Sequence, residues 1–130
     1  MKTILSCAVA LAFSVSATLV TESFTGNLDH DDARYYITFD VTQNNTAVDL
    51  TTWSFAGGIN AAGLQIADGG FDTQLALFNN AGQLIDSDDD ASTVTSAIGG
   101  SSYDAIISSL LAVGSYTAVL TQFNSDYQSG

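Results

Sequence analysis

The sequence predicts an all-β fold, an antiparallel two-sheet β-sandwich of jelly-roll-like character with seven to eight short strands. Three observations carry that expectation. Apolar and polar residues alternate over short runs, Gly, Asn and Asp punctuate them, and no long segment has helical periodicity. In RYYITFDVT, Tyr35, Ile37, Phe39 and Val41 fall on one face, with Tyr36, Thr38, Asp40 and Thr42 on the other. Alternation at period two is what a strand with one buried face requires.

The remaining elements follow in chain order. TLVTESFT (18–25) and TAVDLTTWSF (46–55) are β-prone runs. AGGINAAGLQIADGG (56–70) is glycine-rich and reads as a loop. FDTQLALF (71–78) puts Phe71, Leu75 and Leu77 together, and Asn79-Asn80-Ala81-Gly82 turns it back into QLID as a hairpin. YDAIISSL (103–110) and SYTAVLTQF (115–123) are joined through Ala112-Val113-Gly114. One domain is expected, over residues 18–130.

Residues 1–17 read as a cleavable secretory signal peptide. Lys2 supplies a positive start, the apolar run extends from Ile4 to Val15, and Val15-Ser16-Ala17 offers small residues for cleavage. That run is shorter than the ~20 residues a membrane span needs. The expected location is therefore secreted or at the cell surface, with no transmembrane segment left in the chain as given. The one cysteine, Cys7, departs with the signal. Without a disulfide, stability must come from an apolar core, a partner or bound metal.

Formal charge is −12, one unit more negative without Lys2, and Arg34 is then the one Lys or Arg. Such a chain has no basic surface for a phosphate backbone or for anionic lipid, which excludes nucleic acid as a partner. The acidic set is thirteen Asp against the single Glu22. Asp suits turns, because its short side chain bonds neighbouring backbone, and it is also a common calcium ligand.

The densest acidic stretch is LIDSDDDAST (84–93), with Asp86, Asp88, Asp89 and Asp90. Asp86, Asp88 and Asp90 have the spacing that opens an EF-hand loop, but Ala91 stands where glycine is needed and Ala97 where a bidentate Glu is needed. An EF-hand is excluded, and two readings remain. Either the loop is simply solvated and blocks aggregation, or it donates ligands to Ca2+, with Asp72, Asp104 and, more weakly, Asp68 completing the site. Two carboxylates about 7 Å apart repel by roughly 0.6 kcal/mol in water, which a cation relieves but splaying relieves as well.

Nothing in the chain has the pattern of a catalytic constellation. His30, the single histidine, lies in the acidic turn Asn27–Asp32 and reads as part of a polar turn before Arg34. No Gly-x-Ser-x-Gly elbow is present, and an Asp-dependent hydrolase stands only as a remote alternative. Aromatic residues offer a different route to binding, through stacking on sugar rings. Trp53, Phe55, Tyr35, Tyr103 and Tyr127 are available, but Trp53 and Phe55 read as core. Tyr36 is the best candidate for carbohydrate contact, because alternation turns it away from the face of Tyr35, Ile37 and Phe39.

The order of these elements also resembles a known family. ESFTGNLDHDDARYYITFDV is similar to the opening of bacterial pre-peptidase C-terminal (PPC-like) domains. GGINAAGLQIADGGFDTQLALFNNAGQLIDSDDD and YDAIISSLLAVGSYTAVLTQFN resemble segments of exported bacterial proteins that carry PEP-CTERM sorting tails. The resemblance spans about residues 22 to 124. It implies an exported, non-catalytic β-sandwich associated with exopolysaccharide or biofilm. The family's Pro-Glu-Pro motif, membrane span and basic end are missing, so a fragment lacking the sorting tail is expected. The functional expectation is a non-catalytic extracellular matrix or cell-surface module, calcium stabilisation being one of the two readings of its acidic loop, with exopolysaccharide binding as the alternative.

Overall fold

The computed structural model describes residues 19–125; the expected signal peptide at 1–17 and Tyr127 lie outside them. Among the described residues the chain forms eight strands and no helix: β1 (Tyr35–Val41), β2 (Thr46–Thr51), β3 (Gly58–Ile59), β4 (Gln65–Ile66), β5 (Thr73–Asn79), β6 (Leu84–Asp88), β7 (Ile106–Leu111) and β8 (Gly114–Gln122). Every pairing is antiparallel. Four strands form one sheet in the order β1-β8-β5-β6, while β2 pairs with β7 and β3 with β4. No helix among the described residues is long and apolar enough to cross a membrane. The all-β, antiparallel sandwich expected from alternation is what the chain adopts.

Register places the apolar sets on one side. Phe39 lies opposite Tyr116 and Ile37 opposite Ala118, while Leu75 and Leu77 of β5 sit beside Leu120 and Ala118 of β8. The core joins Val41, Leu75, Leu77 and Tyr116 of this sheet to Ile107 and Leu111 of β7, with Val48 and Leu50 of β2 packed against it. The β2–β7 pair therefore faces the four-stranded sheet. Phe39 and Tyr116 stack at 5.8 Å between ring centroids, and the Tyr116 hydroxyl donates to the Ala112 carbonyl at 3.0 Å.

The hairpins follow the turn chemistry of the sequence. Asn79 Oδ1 accepts the Ala81 and Gln83 amides at 3.0 Å each, and Gly82 takes a φ of 74°, which closes β5 onto β6. Between β7 and β8, the Val113 amide donates to Asn44 Oδ1 at 3.0 Å, tying that turn to the turn between β1 and β2.

Two expectations are corrected. Residues 19–25, the described part of TLVTESFT, form no strand. Leu19 and Val20 are 89% and 76% exposed, so this end of the run buries no face that would fix a register. The glycine-rich stretch 56–70, in contrast, contains the β3–β4 hairpin. Asn60 organises it by accepting the Ala62 and Leu64 amides on Oδ1 at 3.0 and 2.9 Å. Gly58 has a φ of 148°, and a Cβ there would come within 2.5 Å of the Trp53 ring, so the indole lies directly on the hairpin backbone.

Candidate functional site

The aspartates of 84–93 divide by strand alternation. Asp86 and Asp88 point toward β7, and Ser87 between them points away. Asp88 Oδ2 accepts the Ile106 amide at 2.9 Å and the Ala91 amide at 3.0 Å. Asp86 Oδ2 accepts the Ser109 hydroxyl at 3.1 Å, and its Oδ1 the Ser87 amide at 2.9 Å. These carboxylates join β6, an edge of the large sheet, to β7 of the facing pair. Their D-x-D spacing is that of a strand with one side turned to a neighbour.

Asp104 lies deeper. It is fully buried, and both carboxylate oxygens accept hydrogen bonds. Oδ1 receives the Ser54 amide at 2.7 Å and the Phe55 amide at 3.1 Å, and Oδ2 the Ala56 amide at 2.9 Å. Thr52 Oγ1 is 3.3 Å from the same carboxylate and 2.6 Å from Thr73 Oγ1. The backbone of 103–105 meanwhile accepts the amides of Thr52 and Thr73. Asp104 thus orders the turn after β2 and the junction of the two sheets. The surrounding sequence, SSYDAI, gives no local sign of this, because its partners lie about fifty residues away.

Asp72 is different. Its Oδ1 is buried without a hydrogen-bond partner. Burial first, then the neighbouring charges of Asp90, Asp89 and Asp104, push its pKa up to about 6. Asp90 is also raised, by desolvation and by Asp89 and Asp88. Asp68 moves the other way: the Ser96 hydroxyl at 2.6 Å and the amides of Ala97 and Ile98 hold it below the usual carboxylate range, against the effect of desolvation. Among the described residues, no three His, Cys, Asp or Glu side chains form a group suited to a metal ion. Asp72 and Asp90 are the candidates whose charge is disfavoured where they sit, whereas Asp86, Asp88 and Asp104 are engaged in the seams between strands.

The outer face of the four-stranded sheet carries a groove. Pairing aligns Tyr36, Val119, Ala76 and Ser87 in one row across β1, β8, β5 and β6, and Thr38, Thr117, Phe78 and Leu84 in the next. Ile85 is the extra residue of a bulge opposite Leu77 and Phe78, which brings Leu84 into that second row. A groove of about 840 Å³ runs over this face, within the size range of small-molecule sites. Tyr36 is 59% exposed and lines it. Arg34, Gln74, Thr121, Asn80 and Asp89 supply polar groups around it.

The other aromatics are placed otherwise. Trp53 packs on Gly58, and Phe55 meets Tyr103 at 4.8 Å with the rings inclined at 58°. Tyr35 is on the inward-facing set, opposite Leu120, though 38% exposed. His30 begins a turn in which its carbonyl accepts the Ala33 amide at 3.0 Å. Sequence alternation singled out Tyr36; the rest of the groove emerges only once β1, β8, β5 and β6 are in register. No protein-family model, curated protein or solved structure matches this chain.

Proposed function

We propose that this chain is a non-catalytic, exported β-sandwich module of the extracellular matrix or cell surface, and that the outer face of its four-stranded sheet binds polysaccharide. The observation that carries the reading is Tyr36, exposed on a strand whose apolar face is otherwise turned inward, at the side of a groove edged with hydroxyl and amide groups. A pyranose ring has a flat C–H face and a rim of hydroxyls. An aromatic face meets the first, and Thr, Gln and Asn side chains meet the second as donors and acceptors. The face spans four strands, about 14 Å at the usual interstrand spacing, enough for about three sugar units in a row. Export is supported by the signal-like start of the chain and by its resemblance to PPC-like exported proteins.

The test is retention of the purified chain on a glycan array and on insoluble neutral polysaccharides. Tyr36→Ala is expected to weaken retention about tenfold or more, with the circular dichroism spectrum unchanged. Equal retention of the two proteins, or no retention of either, would remove the sheet face as a glycan site.

Calcium is a second reading, favoured by one observation. The buried, unpartnered Oδ1 of Asp72 lies in the field of Asp89 and Asp90. A cation there would offset charges that burial disfavours, with backbone carbonyls and water completing its coordination.

A further inference from the structure

A second cavity lies on the opposite side of the large sheet from that groove. The β2–β7 pair and the short β3–β4 hairpin do not cover the whole inner face presented by β1 and β8. Near Tyr35 a space of about 580 Å³ remains between the layers. Ile37, Leu50, Trp53, Ile66 and Leu120 line it, and residues 21–28 of the N-terminal segment border it. That segment has no strand pairing; Ser23 Oγ accepts the Ala62 amide at 3.0 Å.

One polar residue in the lining has an unused donor. Asn60 is only 9% exposed, and its Oδ1 accepts both the Ala62 and Leu64 amides, which fixes the orientation of the side-chain amide. The other end, Nδ2, is buried and has no partner. A buried amide nitrogen normally finds an acceptor, because leaving its water behind without replacement is costly. The lining contains no Lys or Arg, whereas Glu22 and Asp49 both contribute to it. A carboxylate would therefore meet like charge and no counter-ion.

We propose that this cavity is a binding site for a neutral, elongated apolar molecule carrying a carbonyl oxygen, of the acyl-ester class. The chain of the ligand lies among Ile37, Leu50, Trp53 and Leu120, and its carbonyl accepts from Asn60 Nδ2. Access is past residues 21–28, with the Ser23–Ala62 hydrogen bond giving way. The site is on the opposite face of the large sheet from the polysaccharide groove and does not depend on it.

Trp53, the single tryptophan, lines the cavity and reports its occupancy. Its fluorescence in the purified full chain is followed while methyl octanoate, octane or sodium octanoate is added. A saturable change is expected with the ester, about tenfold weaker binding with the alkane, as loss of one buried hydrogen bond implies, and none with the carboxylate. Asn60→Asp keeps the acceptor for Ala62 and Leu64 but replaces the donor, so it should bind octane like the parent and lose the preference for the ester. Leu120→Phe fills the opposite wall and should abolish the ester response while the β-sheet spectrum persists. An absent response to the ester, equal binding of ester and carboxylate, an ester preference kept in Asn60→Asp, or full binding in Leu120→Phe would each overturn the assignment.

Discussion

Asp88 Oδ2 accepts the backbone amide of Ile106 at 2.9 Å, so that a side chain of β6 satisfies the first amide of β7. No ladder joins these two strands, which belong to different sheets. The same oxygen also accepts from Ala91 at 3.0 Å and orders the start of the following loop. Asp88→Ala removes both and leaves two amides unpaired. A loss of about 1–3 kcal/mol in urea unfolding is expected, and Asp88→Asn, which keeps an acceptor oxygen, should restore much of it. Equal stability of all three proteins would show that water replaces the carboxylate at no cost.

Asp104 should matter more. It is fully buried and accepts three backbone amides on its two oxygens. Asp104→Asn must present a donor to one of those donors, and Asp104→Ala leaves all three without a partner. Each is expected to cost about 3 kcal/mol or more, above the cost of Asp88→Ala. Chemical denaturation measures both; a change within ~0.5 kcal/mol would mean that the turn at 54–56 finds other acceptors.

Asp72 sets a pH dependence of opposite sign to that of an ordinary paired carboxylate. Its pKa in the folded chain is about 6, above the ordinary value of 3.8, so the folded state binds the proton more tightly. Stability from this group therefore increases as pH falls through about 6 and is lost as pH rises through it. Asp90, also raised, acts in the same sense. Asp68 is lowered, so its contribution is present above the unfolded value and disappears only as pH falls toward its folded pKa, leaving the region around pH 6 to Asp72. Thermal melts should show a rise in Tm from pH 7.5 to 5.5 that shrinks in Asp72→Asn, and that variant should exceed the parent at pH 7.5. An unchanged slope in the variant would assign the effect elsewhere.

The proposed calcium site uses the same carboxylate. At pH 7.5, millimolar calcium is expected to raise Tm more than sodium chloride of equal ionic strength, and the difference should vanish in Asp72→Asn. Identical shifts from the two salts would leave only general screening.

Much of the strand pattern was legible because RYYITFDVT, FDTQLALF and SYTAVLTQF bury one side each, and burial enforces a strict period of two. The same regularity leaves the acidic stretch open to two readings. Asp86, Ser87 and Asp88 alternate as strand residues, yet their spacing also matches the start of a calcium loop. Residues 18–25 looked like a strand by composition, but composition cannot say whether a neighbouring edge will pair with them. Asp104 entered as a metal candidate because a lone carboxylate in sequence carries no mark of the three distant amides that converge on it. The β3–β4 hairpin escaped for a related reason: two-residue strands have no periodicity, and Asn60, which builds the turn, is one of several polar residues in that stretch.

The seams formed by Asp86 and Asp88 hold the two layers of a small domain together, and Asp104 ties the turn after β2 to the start of β7, in a chain whose sequence carries a single cysteine, Cys7. Their function as crosslinks needs neither an oxidant to form nor an isomerase to correct, since each closes as soon as its amide or hydroxyl arrives. Thiol reductants leave such joints intact, and a denatured chain can re-establish them without redox chemistry.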